Sequence, residues 1–344
     1  MRFLFSETWN PPRLIGSPTA AFSRAGPYDQ DDGAHSVEFV SVASAFRSQN
    51  DVVECRRETM RITLFDEEYG AIDRKIATVP SREVPRLLRN IPLDAFGHLL
   101  LDVPPEFPDL KAFFPSMPPA AVQDTWTGNQ GISLLRQSTA FVRTLVSGYE
   151  AITGHAIEDA TVLDYGCGWG RLIRLLYKYV AHEQIYAVDP SDTAIELCRE
   201  HGVKAHLALS EYLPRSLPFA RRFDLIYAFS VFTHLSEKTA HIVLSTLRDH
   251  IADTGVLVLT IRPKEYWYQR DSPGATAAAM IETHDETGFA FIPHNRLPID
   301  GDITFGETSI SLGYFGARFP QWKLARVDYN LIDVNQVILF FQPA

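Results

Sequence analysis

Cysteine is scarce, with three residues in 344: Cys55, Cys167 and Cys198. An odd, widely spaced set excludes a disulfide framework and shows no zinc-ligand spacing. The eleven histidines form no HExxH and no pair flanked by cysteines, so no metal site is expected. No run of about 18 uncharged apolar residues occurs, so no membrane span is expected. The opening MRFLFSETWNPPRLIG has no long apolar run and no small-residue cleavage site, and does not read as a secretion signal. The expectation is a reduced, cytoplasmic setting. Basic residues are outnumbered, 32 against 42 acidic, and the formal net charge is −10. That field repels a phosphate backbone, so nucleic acid is not the expected partner. Internal repeats and low-complexity tracts are lacking too.

What is present is enough for a normal core. Hydrophobic residues make up 46% and charged residues 22%, as in an ordinary soluble chain long enough for two domains. Residues 1–91 read as a small α+β accessory region. HSVEFVSVASAF alternates around Val37, Phe39 and Val42, MRITLFD around Ile62 and Leu64, and a short helix starts at Ser81. Residues 92–120 are crowded with proline, which fixes its own φ and restricts its predecessor; an extended linker is expected there. From 121 to 344 the chain forms one further domain. A helix with Leu134, Phe141, Val142 and Leu145 on one stripe ends at Gly154. Then strands and helices alternate: TVLDYG, GRLIRLLYKYV, QIYAVDP, SDTAIELCREHG, KAHLAL, RFDLIYAFS, SEKTAHIVLSTLRDHIA, GVLVLTI. Repeated β-α-β with apolar strands predicts an α/β, doubly wound, mostly parallel sheet. WKLARVDYN and NQVILFFQP read as closing strands, the last antiparallel after its short connection. Residues 263–321 break the rhythm as an insert.

The strongest local signal is VLDYGCGWGRLIRLL, a strand that turns through Gly166, Gly168 and Gly170 into a helix. Glycines there permit positive φ and let a ligand lie against bare backbone. Dinucleotide sites read G-x-G-x-x-G and carry a pyrophosphate. Here the third glycine comes one residue early, and Asp164 precedes the first by two. A carboxylate there repels a pyrophosphate and suits an ammonium, such as the amino-acid head of S-adenosylmethionine. Asp189 ends the next strand, about 20 residues beyond the turn, where a carboxylate accepts hydrogen bonds from ribose hydroxyls. NAD sites share that feature, so Asp189 alone does not discriminate.

VLDYGCGWGR, IYAVDPSDTAIELCREHG, RFDLIYAFSVFTHLSE and LRDHIADTGVLVLTI, in this order and at these intervals, resemble the motifs of class I S-adenosylmethionine-dependent methyltransferases. The resemblance covers residues 125–262 and the last two strands, and implies a seven-stranded sheet. DTWTGNQGISLLRQSTAFV and DGDITFGETSIS also resemble bacterial methyltransferases associated with glycan or natural-product assembly. The family implies that Gly166, Gly168 and Gly170 line the methionine portion beside Asp164 and Cys167. Asp189 would hold the ribose, Ser210 or Glu211 would stand near adenine, and Phe229 and Ser230 would face the reactive side. Trp126 and Thr127 would close over the site. Cys167 and Trp169 read equally as packing residues.

Transfer to an oxygen needs a base, and transfer to an amine needs one less. His234, just after the fourth strand, is the leading candidate by position and by its ordinary pKa of roughly 6.5. It reads also as a loop anchor. His294 and Asp300 in the insert follow, with Glu307 and Tyr314 weaker. NPPR at Asn10–Arg13 lacks the aromatic residue that would stack on a base. The expected activity is O-methylation of a sugar, glycan precursor or secondary metabolite. Small-molecule N-methylation and an inactive binding scaffold stand as alternatives.

Overall fold

The computed structural model describes residues 63–269 and 274–344. The strand expected around Val37–Val42 and the Asn10–Arg13 stretch lie outside them. At the second expected strand, Thr63–Phe65 are a turn leading into a helix, Asp66–Ile76. That helix starts on three acidic residues and ends on Arg74 and Lys75, which complements its dipole. Ser81 opens a single 3-10 turn that continues as the short helix Val84–Leu87.

Residues 92–120 are not an extended linker. They hold the helices Leu93–Leu101 and Pro108–Phe113 and the start of a third, Ala120–Thr127. Pro92, Pro108 and Pro119 sit just before or at a first helical position, where a missing N–H costs nothing, and the other prolines lie in the connections. Phe96, Leu100, Leu110 and Phe114 are buried in the same core as Val162 and Leu225 of the sheet. The segment is therefore part of this core. Each such side chain, fully buried, contributes about 1.5–3 kcal/mol.

The sheet has the strands β1 (Val162–Tyr165), β2 (Ile185–Asp189), β3 (His206–Leu209), β4 (Phe223–Ala228) and β5 (Ile251–Ile261). A hairpin of β6 (Phe289–Pro293) and β7 (Gly306–Ile310) stands apart, and β8 (Trp322–Asp328) and β9 (Val337–Pro343) complete the sheet. Its order is β3-β2-β1-β4-β5-β9-β8, seven strands among the described residues. β1 to β5 are parallel, and β9 runs antiparallel to both β5 and β8. The predicted doubly wound, mostly parallel sheet with an antiparallel last strand is what forms. The long helix Gly131–Thr153 covers one face through Phe141, Val142 and Leu145, and ends at Gly154 with φ of 72°. The helix Glu237–His250 covers the other face through Val243, Leu244 and Leu247.

The register aligns the strand ends. Asp164 of β1 lies between Ala187 of β2 and Tyr227 of β4. The carboxyl ends of β1 to β5 thus open on one edge, where ligands bind in open α/β sheets. The chain order reverses between β1 and β4, which places the switch point beside the glycine turn. In the insert, helices Gly274–Thr287 and Leu312–Arg318 flank the hairpin. No helix among the described residues is long and apolar enough to cross a membrane.

Candidate active site

The turn after β1 is held by its neighbours and kept bare. The Gly166 and Cys167 N–H groups donate to the Val188 carbonyl at 2.8 and 3.1 Å, which ties the turn to β2. Gly166, Gly168 and Gly170 have φ of 80°, 53° and 77°, a region that side chains disfavour. A Cβ on Gly166 would stand 2.5 Å from Val231 Cγ2, so the loop after β4 closes on that glycine. A Cβ on Gly168 would meet only Trp126, at 3.9 Å, leaving that side of the turn open toward the crevice. Trp126, on the helix Ala120–Thr127, thus stands beside the turn and is 37% exposed.

Asp164 and Asp189 flank this bare segment, both buried. Burial lifts the Asp164 pKa to about 7; the Asp189 charge adds to this, while the Tyr227 hydroxyl and the Arg171 cation oppose it. Asp189 Oδ2 accepts the Gly168 N–H at 2.9 Å and Oδ1 accepts the Ser191 N–H at 2.9 Å. Burial raises its pKa against these two bonds. Asp189 therefore shapes the turn, and each oxygen keeps a second lone pair for a donor. Ser191 precedes the helix Asp192–Glu200 but makes no side-chain cap; the Asp189 carboxylate captures its N–H instead.

After β3, the Ser210 N–H donates to the Asp189 carbonyl at 3.0 Å. Its Oγ is buried without a hydrogen-bond partner among the described residues. A buried hydroxyl left so costs about 1–3 kcal/mol unless a ligand or water meets it. Glu211 beside it is exposed. After β4, Phe229 packs edge-on against Phe141 at 4.5 Å, with the Arg171 guanidinium 4.9 Å above its ring centre. Ser230 has φ of 58°, a strained value for a residue with a side chain. Its N–H donates to Thr260 Oγ1 at 2.8 Å, and its Oγ accepts from Gln336 Nε2 at 3.0 Å. Cys167 is buried; contact with Cys198 and burial raise its pKa, so it stays a thiol. Trp169 packs under Arg174 at 4.8 Å.

Sequence reasoning missed Arg171. It follows Gly170 directly, donates to Gln137 Oε1, and feels the charges of Asp333 and Asp164. Gln137 in turn donates to Asp333. Adjacency to the glycine turn was the available signal, and two distant segments, around Gln137 and Asp333, supply the rest.

The insert delivers a second cluster to the ends of β4 and β5. The Gly306 N–H donates to the His234 carbonyl at 2.8 Å and the Thr308 N–H to the Thr233 carbonyl at 3.0 Å, so β7 lies along the loop after β4. Arg262, just past β5, donates to the Thr233 carbonyl at 2.8 Å, to Glu307 Oε2, and to His234 Nε2 at 3.2 Å. Because guanidinium only donates, His234 Nε2 is an acceptor, and Nδ1–H donates to the Gly306 carbonyl at 2.8 Å. The imidazole is stacked on Phe305, with ring centres 4.8 Å apart. Burial and the Arg262 charge lower its pKa to about 4 against the pull of Glu307. His234 is thus neutral with both nitrogens engaged.

Glu307 accepts from Tyr266 Oη at 2.7 Å and from His294 Nε2 at 3.0 Å as well as from Arg262. Burial resists its ionisation, but the His294 bond and the Arg262 and His234 neighbours overcome this and hold its pKa well below the usual range. Tyr266 and Arg262 are residues the sequence did not single out. Asp300 sits exposed on a turn with φ of 49°, its carbonyl accepting from Lys238. Tyr314 is buried elsewhere, donating to Glu237. The structure therefore gathers His234, His294 and Glu307, and leaves Asp300 and Tyr314 outside that cluster.

Residues 162–255 match a family described as a methyltransferase domain. A malonyl-[acyl-carrier protein] O-methyltransferase of Halalkalibacterium halodurans is 29% identical over 160 residues, 44% of this chain and 58% of that protein. A ubiquinone biosynthesis O-methyltransferase of Rhodopseudomonas palustris is 30% identical over 105 residues, 30% of this chain and 40% of that protein. This chain spans about half the length of these relatives, between 40% and 58%. Among solved structures, Streptomyces venezuelae DesVI matches with a TM-score of 0.43 and 12% identity, over 67% of this chain and 100% of that one.

Proposed function

We propose that this chain, class I methyltransferase in its motifs and fold, binds S-adenosylmethionine in the crevice beyond β1 to β4 and methylates a hydroxyl of a small molecule or glycan precursor. The observation that carries the reading is a bare turn fixed between two buried carboxylates, with a hydroxyl one strand further on that has no partner among the described residues. The residues fit the cofactor piece by piece. The open side of Gly168 would take the methionine portion, and Asp164, once ionised, its ammonium. Asp189 would accept from the ribose with its remaining lone pairs. Ser210 Oγ would meet the adenine edge, and Trp126 would cover the turn. When bound, the cofactor supplies an electrophilic methyl on a positively charged sulfur.

The chain has three tasks around that group: to hold it, to exclude water, and to place an acceptor. Ser230, strained and anchored by Thr260 and Gln336, fixes the loop after β4 between the cofactor crevice and the insert. The curated relatives are by name O-methyltransferases, which favours oxygen as the acceptor atom here. With the acidic net charge, nucleic acid remains outside the proposal. A thermal-shift comparison tests the cofactor class. S-adenosylhomocysteine should raise the melting temperature and NAD should not; stabilisation by NAD alone would refute the reading.

A further inference from the structure

The two histidines of the insert cluster are wired in opposite senses. His234 spends its acceptor nitrogen on Arg262 and its proton on a backbone carbonyl. His294 faces a carboxylate instead. Glu307 is ionised and accepts only, so the nitrogen it touches, Nε2, carries the proton. The lone pair of His294 is then at Nδ1, to which no hydrogen bond forms among the described residues. Its side chain is 25% exposed, against 13% for Glu307, so the ring is partly open to solvent. Position supports this. His294 follows β6 directly, its N–H donates to the Phe305 carbonyl, and Ile292 pairs with Glu307 across the hairpin. The hairpin is fastened to residues 233–235 through Gly306 and Thr308. Residues 230–234 join this cluster to the cofactor crevice, since Ser230 Oγ lies 3.2 Å from Thr233 Oγ1.

We propose that His294 is the proton acceptor for a hydroxyl substrate, with Glu307 as its positioning residue, and that His234 is not a base. This rests on the methyl-transfer reading above. The acceptor oxygen bonds to the methyl carbon, and the carbon–sulfur bond breaks with its electron pair passing to sulfur. The hydroxyl proton moves to His294 Nδ1, leaving an imidazolium paired with the Glu307 carboxylate. Arg262 and Tyr266 keep Glu307 anionic through that step and hold it in place. The charged or titratable groups around the pair are Arg262 after β5, Tyr266 beyond it, and His234 after β4. Arg296, in the hairpin loop, lies 4.4 Å above the Phe305 ring on which both histidines pack. An amine acceptor depends less on such a pair than a hydroxyl does, so the pair favours alcohols or phenols as the substrate class.

The test uses the full chain with nitrogen-15-labelled histidine, alongside His294→Ala, His294→Gln and Glu307→Gln. Nitrogen shifts should show His294 protonated at Nε2, and Glu307→Gln should shift the population toward the Nδ1-protonated form. Labelled S-adenosylmethionine with 3,4-dihydroxybenzoate and methyl glucoside as probes should give label transfer that falls about 100-fold or more in both His294 variants. Their cofactor affinity should stay within about twofold, since ground-state binding is not what a base supplies. In Glu307→Gln label transfer should fall while cofactor affinity stays within about twofold, which a purely structural loss would not do. A wild-type His294 protonated at Nδ1, or label transfer unchanged in His294→Ala, overturns the inference. Failure of the wild-type chain to bind S-adenosylmethionine at all sinks the underlying reading instead.

Discussion

The crevice beyond β1 to β3 and the cluster beyond β4 and β5 solve opposite problems with polar groups. The first leaves them unfinished. Gly168 leaves open the space a side chain would fill, although its N–H and carbonyl are engaged by Asp189 and Cys198, Ser210 Oγ has no partner among the described residues, and burial keeps Asp164 poised near neutrality. The second is nearly closed on itself. Glu307 takes three donors, Arg262 reaches a carbonyl, a carboxylate and an imidazole, and His234 has both nitrogens engaged. An unfinished region is a place for a ligand, because a buried polar atom without a partner costs more than a bond made later. A nearly saturated region is rigid; among the described residues its spare nitrogens are the buried Arg262 Nε and the partly exposed Nδ1 of His294, which the Glu307 bond at Nε2 holds in a fixed direction. The difference separates cofactor holding from proton handling.

The largest effect that sharpens this contrast is steric. Gly166→Ala combines φ of 80° with a Cβ 2.5 Å from Val231 Cγ2, and should destabilise the fold by about 2–4 kcal/mol. Gly168→Ala meets nothing closer than Trp126 at 3.9 Å and should cost only about 1–2 kcal/mol, its backbone strain, while weakening cofactor binding. Equal losses in denaturant melts of the two would show that the turn is closed everywhere. The next effect belongs to the saturated side. His234 folds with a pKa of about 4, below its unfolded value, so the unfolded chain gains a proton first as pH falls. Its contribution is complete above about pH 6.5 and is lost toward pH 4, amounting to about 2 kcal/mol by pH 5. Denaturant melts at pH 7 and 5 should show a shallower drop in His234→Gln. An identical drop would mean His234 is not held neutral.

On the unfinished side, Asp164 must ionise to meet an ammonium, and its pKa is raised to about 7. Its raised value is a folding cost that appears as pH rises from the unfolded pKa through about 7, and a bound cation offsets it. Affinity for S-adenosylmethionine should therefore climb about tenfold per pH unit below 7 and level off above. Asp164→Asn should bind weakly with a flat profile. A flat profile in the wild-type chain would place the ammonium elsewhere. The smallest effect is a control: Asp300→Ala, at an exposed turn, should change stability by less than about 0.5–1 kcal/mol and leave turnover alone. A large loss would extend the cluster to that turn.

Legibility in the sequence followed the range of the interactions. The alternation of strands and helices from Val162 to Ile261, the glycine turn, and the two carboxylates at strand ends are local patterns, and each was readable. The helices at Leu93–Leu101 and Pro108–Phe113 were not, because a proline at a first helical position and one in an extended segment look alike by composition. The helix Asp66–Ile76 was hidden by the alternation just before it, although its acidic start and basic end were present. At the site, His234 was found by its place after a strand, but what decides its chemistry is Arg262, 28 residues on, and Gly306, 72 residues on. The same holds for Glu307, whose partners Tyr266 and Arg262 lie 41 and 45 residues away. Spacing carries no record of such pairings, and only the folded hairpin brings them together.

The central claim is that the bare turn and its flanking carboxylates hold a positively charged methyl donor. Calorimetric titration of S-adenosylmethionine into the full chain and into Asp189→Ala tests it most directly. The account predicts one site with a Kd below about 1 mM, weakened about 100-fold, close to 3 kcal/mol, in the variant. No heat with the wild-type chain at millimolar donor, or equal affinity in Asp189→Ala, would contradict it.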